Sequence, residues 1–237
     1  MKKTPDTKNF INYLNKKNMK TTEEILEMFP SRLVESRTFN YNGKTFFVPY
    51  ETIYINGEKF NGLRKNTDRA ELFDKILEEK NVEYKRHLDV GSNLGFFVHH
   101  FSKKFETNNG VELESFYTNM CNDILYPELS GRFINNDLNI KPLRDLFTEQ
   151  FNVITALSMI EYINDKNKFV EDLYNLTKEV CIVEGHSEDI KKGLDIYYEN
   201  ILKSKDWDVQ RYHQLTEAGT NAPSDSPGRP LWICTKK

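Results

Sequence analysis

Residues 86–97 read Arg-His-Leu-Asp-Val-Gly-Ser-Asn-Leu-Gly-Phe-Phe, and this stretch decides the fold. A short run carries an acid, Asp89, a turn with Gly91 and Gly95 follows, and an apolar helical pattern begins at once. The order predicts strand, tight turn and helix, an arrangement that brings backbone N–H groups and a helix N-terminus up to a nucleotide-like ligand. Gly91 offers a backbone conformation closed to other residues, and Gly95 lets the helix start pack closely. Asn93, next to Ser92, stands where many such loops have a middle glycine, and Asn tolerates positive φ better than most residues. The dinucleotide fingerprint G-x-G-x-x-G is absent, because here the acid precedes the glycines.

Downstream the chain alternates. After the strand at 86–90, further strands are expected at 109–112, 132–136, 152–157, 180–184, 207–212 and 231–234, with helices near 95–105, 114–124, 141–149, 166–178 and 188–202. Such alternation predicts an α/β domain over residues 63–237: a Rossmann-like, seven-stranded, mostly parallel sheet with helices on both faces. Residues 213–230 form a long loop with three prolines, opened by His213, and its position suits acceptor selection.

Upstream, residues 1–62 read as a small helical and β-hairpin extension. Residues 8–35 are expected as two helical pieces, the second capped by Thr21 or Thr22, striped by Ile25, Met28 and Phe29 and stopped at Pro30. Asn42-Gly43 and Asn56-Gly57 sit between β-rich runs and signal hairpins. Such an addition covers a site or builds an interface, which leaves room for a homo-oligomer. Thr67 is the expected cap of a helix striped by Ala70, Phe73, Ile76 and Leu77, with Arg64 and Arg69 flanking its start.

The chain of 237 residues is long enough to bury a sizeable core. A formal charge of −3 argues against a nucleic-acid grip; the lysines of residues 1–20 are the exception and the only support for an RNA or protein acceptor. No stretch approaches the roughly 18 apolar residues of a membrane span. Cys121, Cys181 and Cys234 are far apart, which fits a reducing, cytoplasmic setting and no zinc or disulfide framework.

Candidate chemistry gathers at the expected strand ends. Glu112 can accept both ribose hydroxyls of an adenosine. Asp137 beside Leu138 can hold an adenine amino group and cover its ring. The fourth strand ends at Ser158, followed by Met159-Ile160-Glu161-Tyr162. Glu161 and His186 are alternative general bases, and no cluster has convincing metal spacing. Arg64 or Arg69 suits a ligand carboxylate.

Together the acid-glycine loop, Glu112, Asp137 and the 151–163 segment resemble the motifs of class I S-adenosylmethionine-dependent methyltransferases over about residues 64–185. Arg64, Thr67 and Arg69 look most like the bacterial enzymes acting on sugars or polysaccharides. The resemblance implies that Arg64, Arg69, Asp89, Gly91, Ser92, Asn93, Gly95, Glu112, Asp137, Leu138 and Ser158 hold S-adenosylmethionine. It further implies O-methylation of a saccharide or other small polar acceptor. Asn93, Asn152 and Glu161-Tyr162 depart from the family pattern, the last where many relatives have Glu-His. An NAD-dependent oxidoreductase and a non-catalytic cofactor-binding partner subunit are the alternatives.

Overall fold

The computed structural model describes residues 21–29, 38–63, 66–212 and 228–237. Arg64, the lysines of residues 1–20, the first helical piece and His213 lie outside the described residues. Helix α1 (Thr22–Glu27) starts from a reciprocal cap: the Glu24 N–H donates to Thr21 Oγ1 at 3.2 Å, and Thr21 N–H reaches back to Glu24 Oε2 at 3.4 Å. Strands β1 (Thr38–Tyr41) and β2 (Lys44–Phe47) pair through Asn42-Gly43; β3 (Ile53–Ile55) and β4 (Glu58–Phe60) pair through Asn56-Gly57. All four turn residues have positive φ, as primed hairpin turns require. Helix α2 (Asn66–Glu79) buries the expected stripe, but Thr67 lies inside its first turn. The Thr67 hydroxyl accepts from Lys59 Nζ instead of capping.

The main sheet contains β5 (Arg86–Val90), β6 (Thr107–Glu112), β7 (Phe133–Asn135), β8 (Phe151–Leu157), β9 (Thr177–Glu184), β10 (Trp207–Tyr212) and β11 (Leu231–Lys236). Their order is β10-β11-β9-β8-β5-β6-β7, and β11 runs antiparallel to both its neighbours. The expected Rossmann-like sheet of seven mostly parallel strands is therefore present. From β5 the chain steps outward to β6 and β7, then returns to lay β8 on the other side of β5. That reversal opens a crevice beyond the strand ends, where open α/β sheets bind ligands.

Alternation along the strands divides the core. Leu88, Val90, Ile154 and Ala156 pack toward α5 (Lys166–Leu176) and the later helices, while Val153 and Ile182 pack against Phe73 of α2 and Phe101. A third cluster joins the extension to the sheet: Ile25, Phe46, Ile53 and Phe60 share it with Leu94, Val98, Met120 and Phe133. The extension is thus packed directly beside the glycine loop.

Several expected helices are shorter or broken. Helix α3 (Phe96–Phe101) begins at Gly95, whose φ of 75° only glycine adopts freely. Helix α4 (Ser115–Met120) widens into a π turn over Cys121–Leu125. The 141–149 segment yields only a 3-10 turn, Leu143–Asp145, because Pro142 gives no N–H and Leu143 alone is fully buried there. The helix expected over 188–202 breaks at Gly193, φ 70°, into α6 (Ser187–Lys192) and α7 (Leu194–Lys203).

Candidate active site

The glycine loop is held from below by β6. Gly91 and Ser92 N–H groups both donate to the Val111 carbonyl, at 2.8 and 3.0 Å. Gly91 has φ 79°, and a Cβ there would collide with the Met159 sulfur, so glycine serves both the turn and the close approach. Asn93 adopts φ 47°, as its side-chain type allows; its own Oδ1 accepts from Leu94 N–H at 2.8 Å. Its N–H donates to Glu112 Oε2 at 2.8 Å, while Glu112 Oε1 accepts from Glu114 N–H at 3.0 Å. The backbone thus fixes the carboxylate at the end of β6. Burial nevertheless pushes the Glu112 carboxyl above the usual range.

Asp89 is 3 % exposed at the end of β5, where the hydroxyl of Thr155 on β8 donates to its Oδ1 at 2.7 Å. Burial, with lesser help from the negative charges of Glu51 and Glu112, raises its carboxyl to about 7 despite that hydrogen bond. Glu51 comes from the segment between the two hairpins. The carboxylates of Glu51, Asp89 and Glu112 line one cavity of about 160 Å³, together with Gly91, Asn93 and Arg69. A polar hollow so rich in carboxylates suits a cation.

Gly91, Glu112, Met159 and Tyr162 also border a more apolar hollow of about 400 Å³, walled by Val111, Leu113, Leu138 and Ile163. Asp137 lies at its edge, with Oδ1 accepting from Asn139 N–H at 2.9 Å. The two hollows form one cleft, polar at the β5–β8 end and apolar at the β6–β7 end. Its size is in the range of small-molecule sites, about 300–1,000 Å³.

The polar end carries a buried charge cluster. Arg69, 2 % exposed, pairs with fully buried Glu184 at the end of β9. Arg229 approaches the same Glu184 oxygen at 3.3 Å and donates to Ser158 Oγ, which itself donates to Glu184 at 3.2 Å. Ser158 takes φ 57°, an unusual conformation for serine, at the edge of the cleft. Two guanidiniums thus converge on one carboxylate, and Arg69 also lines the cavity. Replacing Glu184 with Leu removes the buried carboxylate that both arginines share. It is expected to cost about 3–5 kcal/mol in urea denaturation; a loss below 1 kcal/mol contradicts this arrangement.

Glu161 and His186, rival bases in the sequence, stand together: His186 Nε2 lies 2.7 Å from Glu161 Oε1, and each side chain is about a quarter exposed. Burial raises the Glu161 carboxyl. The His186 N–H donates to Asp189 Oδ2 at 2.6 Å, which fixes the start of α6. His186 borders the cleft. The adjacent His99 and His100 diverge, as helical neighbours should: His99 stacks on Tyr54 and Tyr126, and His100 pairs with Asp74 at 3.0 Å. Among the described residues no group of three or more His, Cys, Asp or Glu forms a metal-binding set.

The sequence reasoning missed Glu51, Glu184 and the part played by Arg229. For Glu184 a signal existed, an acid closing a parallel strand, the same cue that marked Glu112. Nothing local marks Glu51.

No family model matches the chain, and no curated protein matches it in sequence. Solved structures resemble it in fold. An S-adenosylmethionine-dependent methyltransferase from Clostridium acetobutylicum superposes with a TM-score of 0.59 at 13% identity, covering 73% of this chain and 92% of its own. The N-methyltransferase NodS from Bradyrhizobium japonicum, solved with S-adenosyl-L-homocysteine, gives 0.56 at 9% identity over 72% and 86%. The plantazolicin methyltransferase BpumL, also solved with that compound, gives 0.53 at 13% over 71% and 82%. The fold is that of the S-adenosylmethionine-dependent methyltransferases. No helix among the described residues is long and apolar enough to cross a membrane.

Proposed function

We propose that this chain is an S-adenosylmethionine-dependent methyltransferase that O-methylates a sugar or another small polar acceptor. The observation that carries the reading is the cleft itself, with carboxylates and a guanidinium at one end and an apolar hollow edged by Asp137 at the other. The groups present fit the cofactor. Glu112 faces the ribose hydroxyls, Asp137 and Leu138 the adenine, and the loop from Gly91 to Gly95, through Ser92 and Asn93, the middle of the molecule. Asp89 takes the ammonium and Arg69 the carboxylate of the amino-acid end, with Ser158 beside them; Arg64 belongs to the same reading. Residues 63–237 are the catalytic unit and 1–62 an extension of it.

When bound, S-adenosylmethionine supplies a methyl group on a cationic sulfur. The protein's remaining task is to align a nucleophile with it, a contribution of roughly 7–11 kcal/mol in well-oriented systems. A hydroxyl also needs a base. The Glu161 carboxylate pairs with His186 Nε2 and orients the imidazole. His186 then removes the acceptor proton, and Glu161 steadies the imidazolium.

The test is calorimetric titration with S-adenosylhomocysteine and, separately, NAD. The wild type is expected to bind the former only. Glu112→Ala, which removes hydrogen bonds to a charged acceptor, should weaken binding about 10- to 100-fold. No binding of S-adenosylhomocysteine overturns the proposal, and binding of NAD in its place points to an oxidoreductase.

A further inference from the structure

Behind Asp89 the sheet carries a row of buried polar groups. Alternate side chains of a strand share a face, so His87 and Asp89 of β5 lie on the same side. Asp89 stands in register with Thr155 of β8, and His87 with Asn108 of β6. None of the four is more than 3 % exposed. The Thr155 hydroxyl joins two of them, lying 2.7 Å from Asp89 Oδ1 and 3.1 Å from His87 Nε2. The Leu88 carbonyl, at 3.5 Å, is the poorer acceptor. Asn108 is the group whose hydrogen bond favours a proton on the imidazole, and its buried Oδ1 has no other partner.

A hydroxyl has a single hydrogen to give. An ionised Asp89 only accepts, so it takes the Thr155 hydrogen, and the bond to the ring then comes from Nε2–H. A protonated Asp89 donates to the Thr155 oxygen instead, which turns the hydroxyl hydrogen toward Nε2 and leaves the ring proton on Nδ1. Between the two states the Asp89 proton leaves to the cavity, the hydroxyl hydrogen swings from ring to carboxylate, and the ring's one proton changes nitrogen. The imidazole stays neutral throughout, because burial, helped by His100, holds its pKa down at about 3. Phe101 and Phe105, with ring centroids 4.7 and 5.6 Å away, pack around it and carry no charge. Asp89 faces Glu51 and Glu112, whose charges oppose its ionisation, and Arg69 lines the same cavity.

We propose that His87 is a positioning residue for Asp89: acting through Thr155, its Nε2–H commits the hydroxyl to the Asp89 carboxylate, and its tautomer follows the proton on Asp89. The proposal rests on the cofactor reading only for what Asp89 meets in the cleft; the row of hydrogen bonds stands without a ligand.

Nitrogen-15 NMR of the imidazole in the full chain tests it. Without ligand, the ring is expected to carry its proton on Nδ1 at about pH 5 and on Nε2 at about pH 8.5. Thr155→Val, which breaks the row, should hold one tautomer at every pH. A wild-type ring that keeps one tautomer across this range, or gains a charge, overturns the proposal. Binding reads the same coupling. At about pH 8, Thr155→Val is expected to weaken S-adenosylhomocysteine about tenfold and Thr155→Ser less than about threefold. Binding of 5′-methylthioadenosine, which lacks the amino-acid end, should stay within about twofold in both. His87→Leu should weaken S-adenosylhomocysteine about threefold alone and add nothing to Thr155→Val, a non-additivity that a merely structural role does not produce. Equal losses in the two backgrounds overturn the proposal. If His87→Leu does not fold, the wild-type ring decides alone. A wild type that binds no S-adenosylhomocysteine sinks the cofactor reading, and the ligand-free ring still decides the role of His87.

Discussion

His186→Ala is expected to lower kcat for methyl transfer to a hydroxyl acceptor by about 10²–10⁴, the usual worth of a general base, with S-adenosylhomocysteine affinity kept within twofold. The separation follows from position. His186 borders the cleft, where its ring pairs with Glu161 and meets Tyr162 edge-on, and its backbone N–H donates to Asp189; neither Glu112 nor Asp89 is among these contacts. Removing the imidazole therefore leaves Glu112, Asp89 and the glycine loop undisturbed. Glu161→Gln should fall between wild type and His186→Ala, because an amide can still accept from Nε2–H but cannot balance an imidazolium. The measurement is single-turnover transfer across pH with a responsive acceptor. In the wild type the rate should rise as the base loses its proton, and His186→Ala should flatten that limb. An unchanged kcat, or a cofactor affinity lost in step with the rate, rules out the assignment.

The pairing of these two residues illustrates what a sequence can and cannot say. Each was visible alone, one after the fourth strand and one after the fifth, because strand ends of a parallel sheet collect chemistry. Their contact was not visible, since it depends on how the Ile160–Tyr162 turn and the start of α6 fold back over adjacent strands. The glycine loop, Glu112 and Asp137 were legible for a simpler reason. Their spacing is set by one strand-turn-helix unit at a time, and the sheet's alternation does the rest. Asn42-Gly43 and Asn56-Gly57 were equally local, since a two-residue turn with positive φ admits few residue types. Glu51 and Arg229 converge on the cleft from more than 170 residues apart, through packing that no short motif encodes. The missing helix at 141–149 is the reverse case: helical composition without enough buried side chains to hold it.

Asp89→Asn is expected to trade stability against binding, in opposite directions. An acid raised from 3.8 to about 7 holds its proton more tightly in the folded than in the unfolded chain. Below about pH 4 both states are protonated and the group costs nothing. As pH rises toward 7 the unfolded chain ionises first, so folding stability falls, and above 7 the full penalty of about 4 kcal/mol applies. Asparagine keeps the acceptor for the Thr155 hydroxyl and carries no charge. The ligand-free variant should therefore unfold at a higher temperature than wild type at pH 8, with the gap closing toward pH 4. Ligand binding should move the other way. S-adenosylhomocysteine affinity in the wild type should climb between about pH 5.5 and 8 as Asp89 ionises beside the incoming ammonium. In Asp89→Asn it should be about 10- to 100-fold weaker at pH 8 and vary little over that range. Thermal unfolding with and without ligand at several pH values reads both effects in one experiment. A variant less stable than wild type at pH 8 would show that Asp89 is a structural acid; one that binds as tightly would remove it from the cofactor site. Both results expected here describe a carboxylate kept in the core at a cost to the fold because its use is to meet a cation.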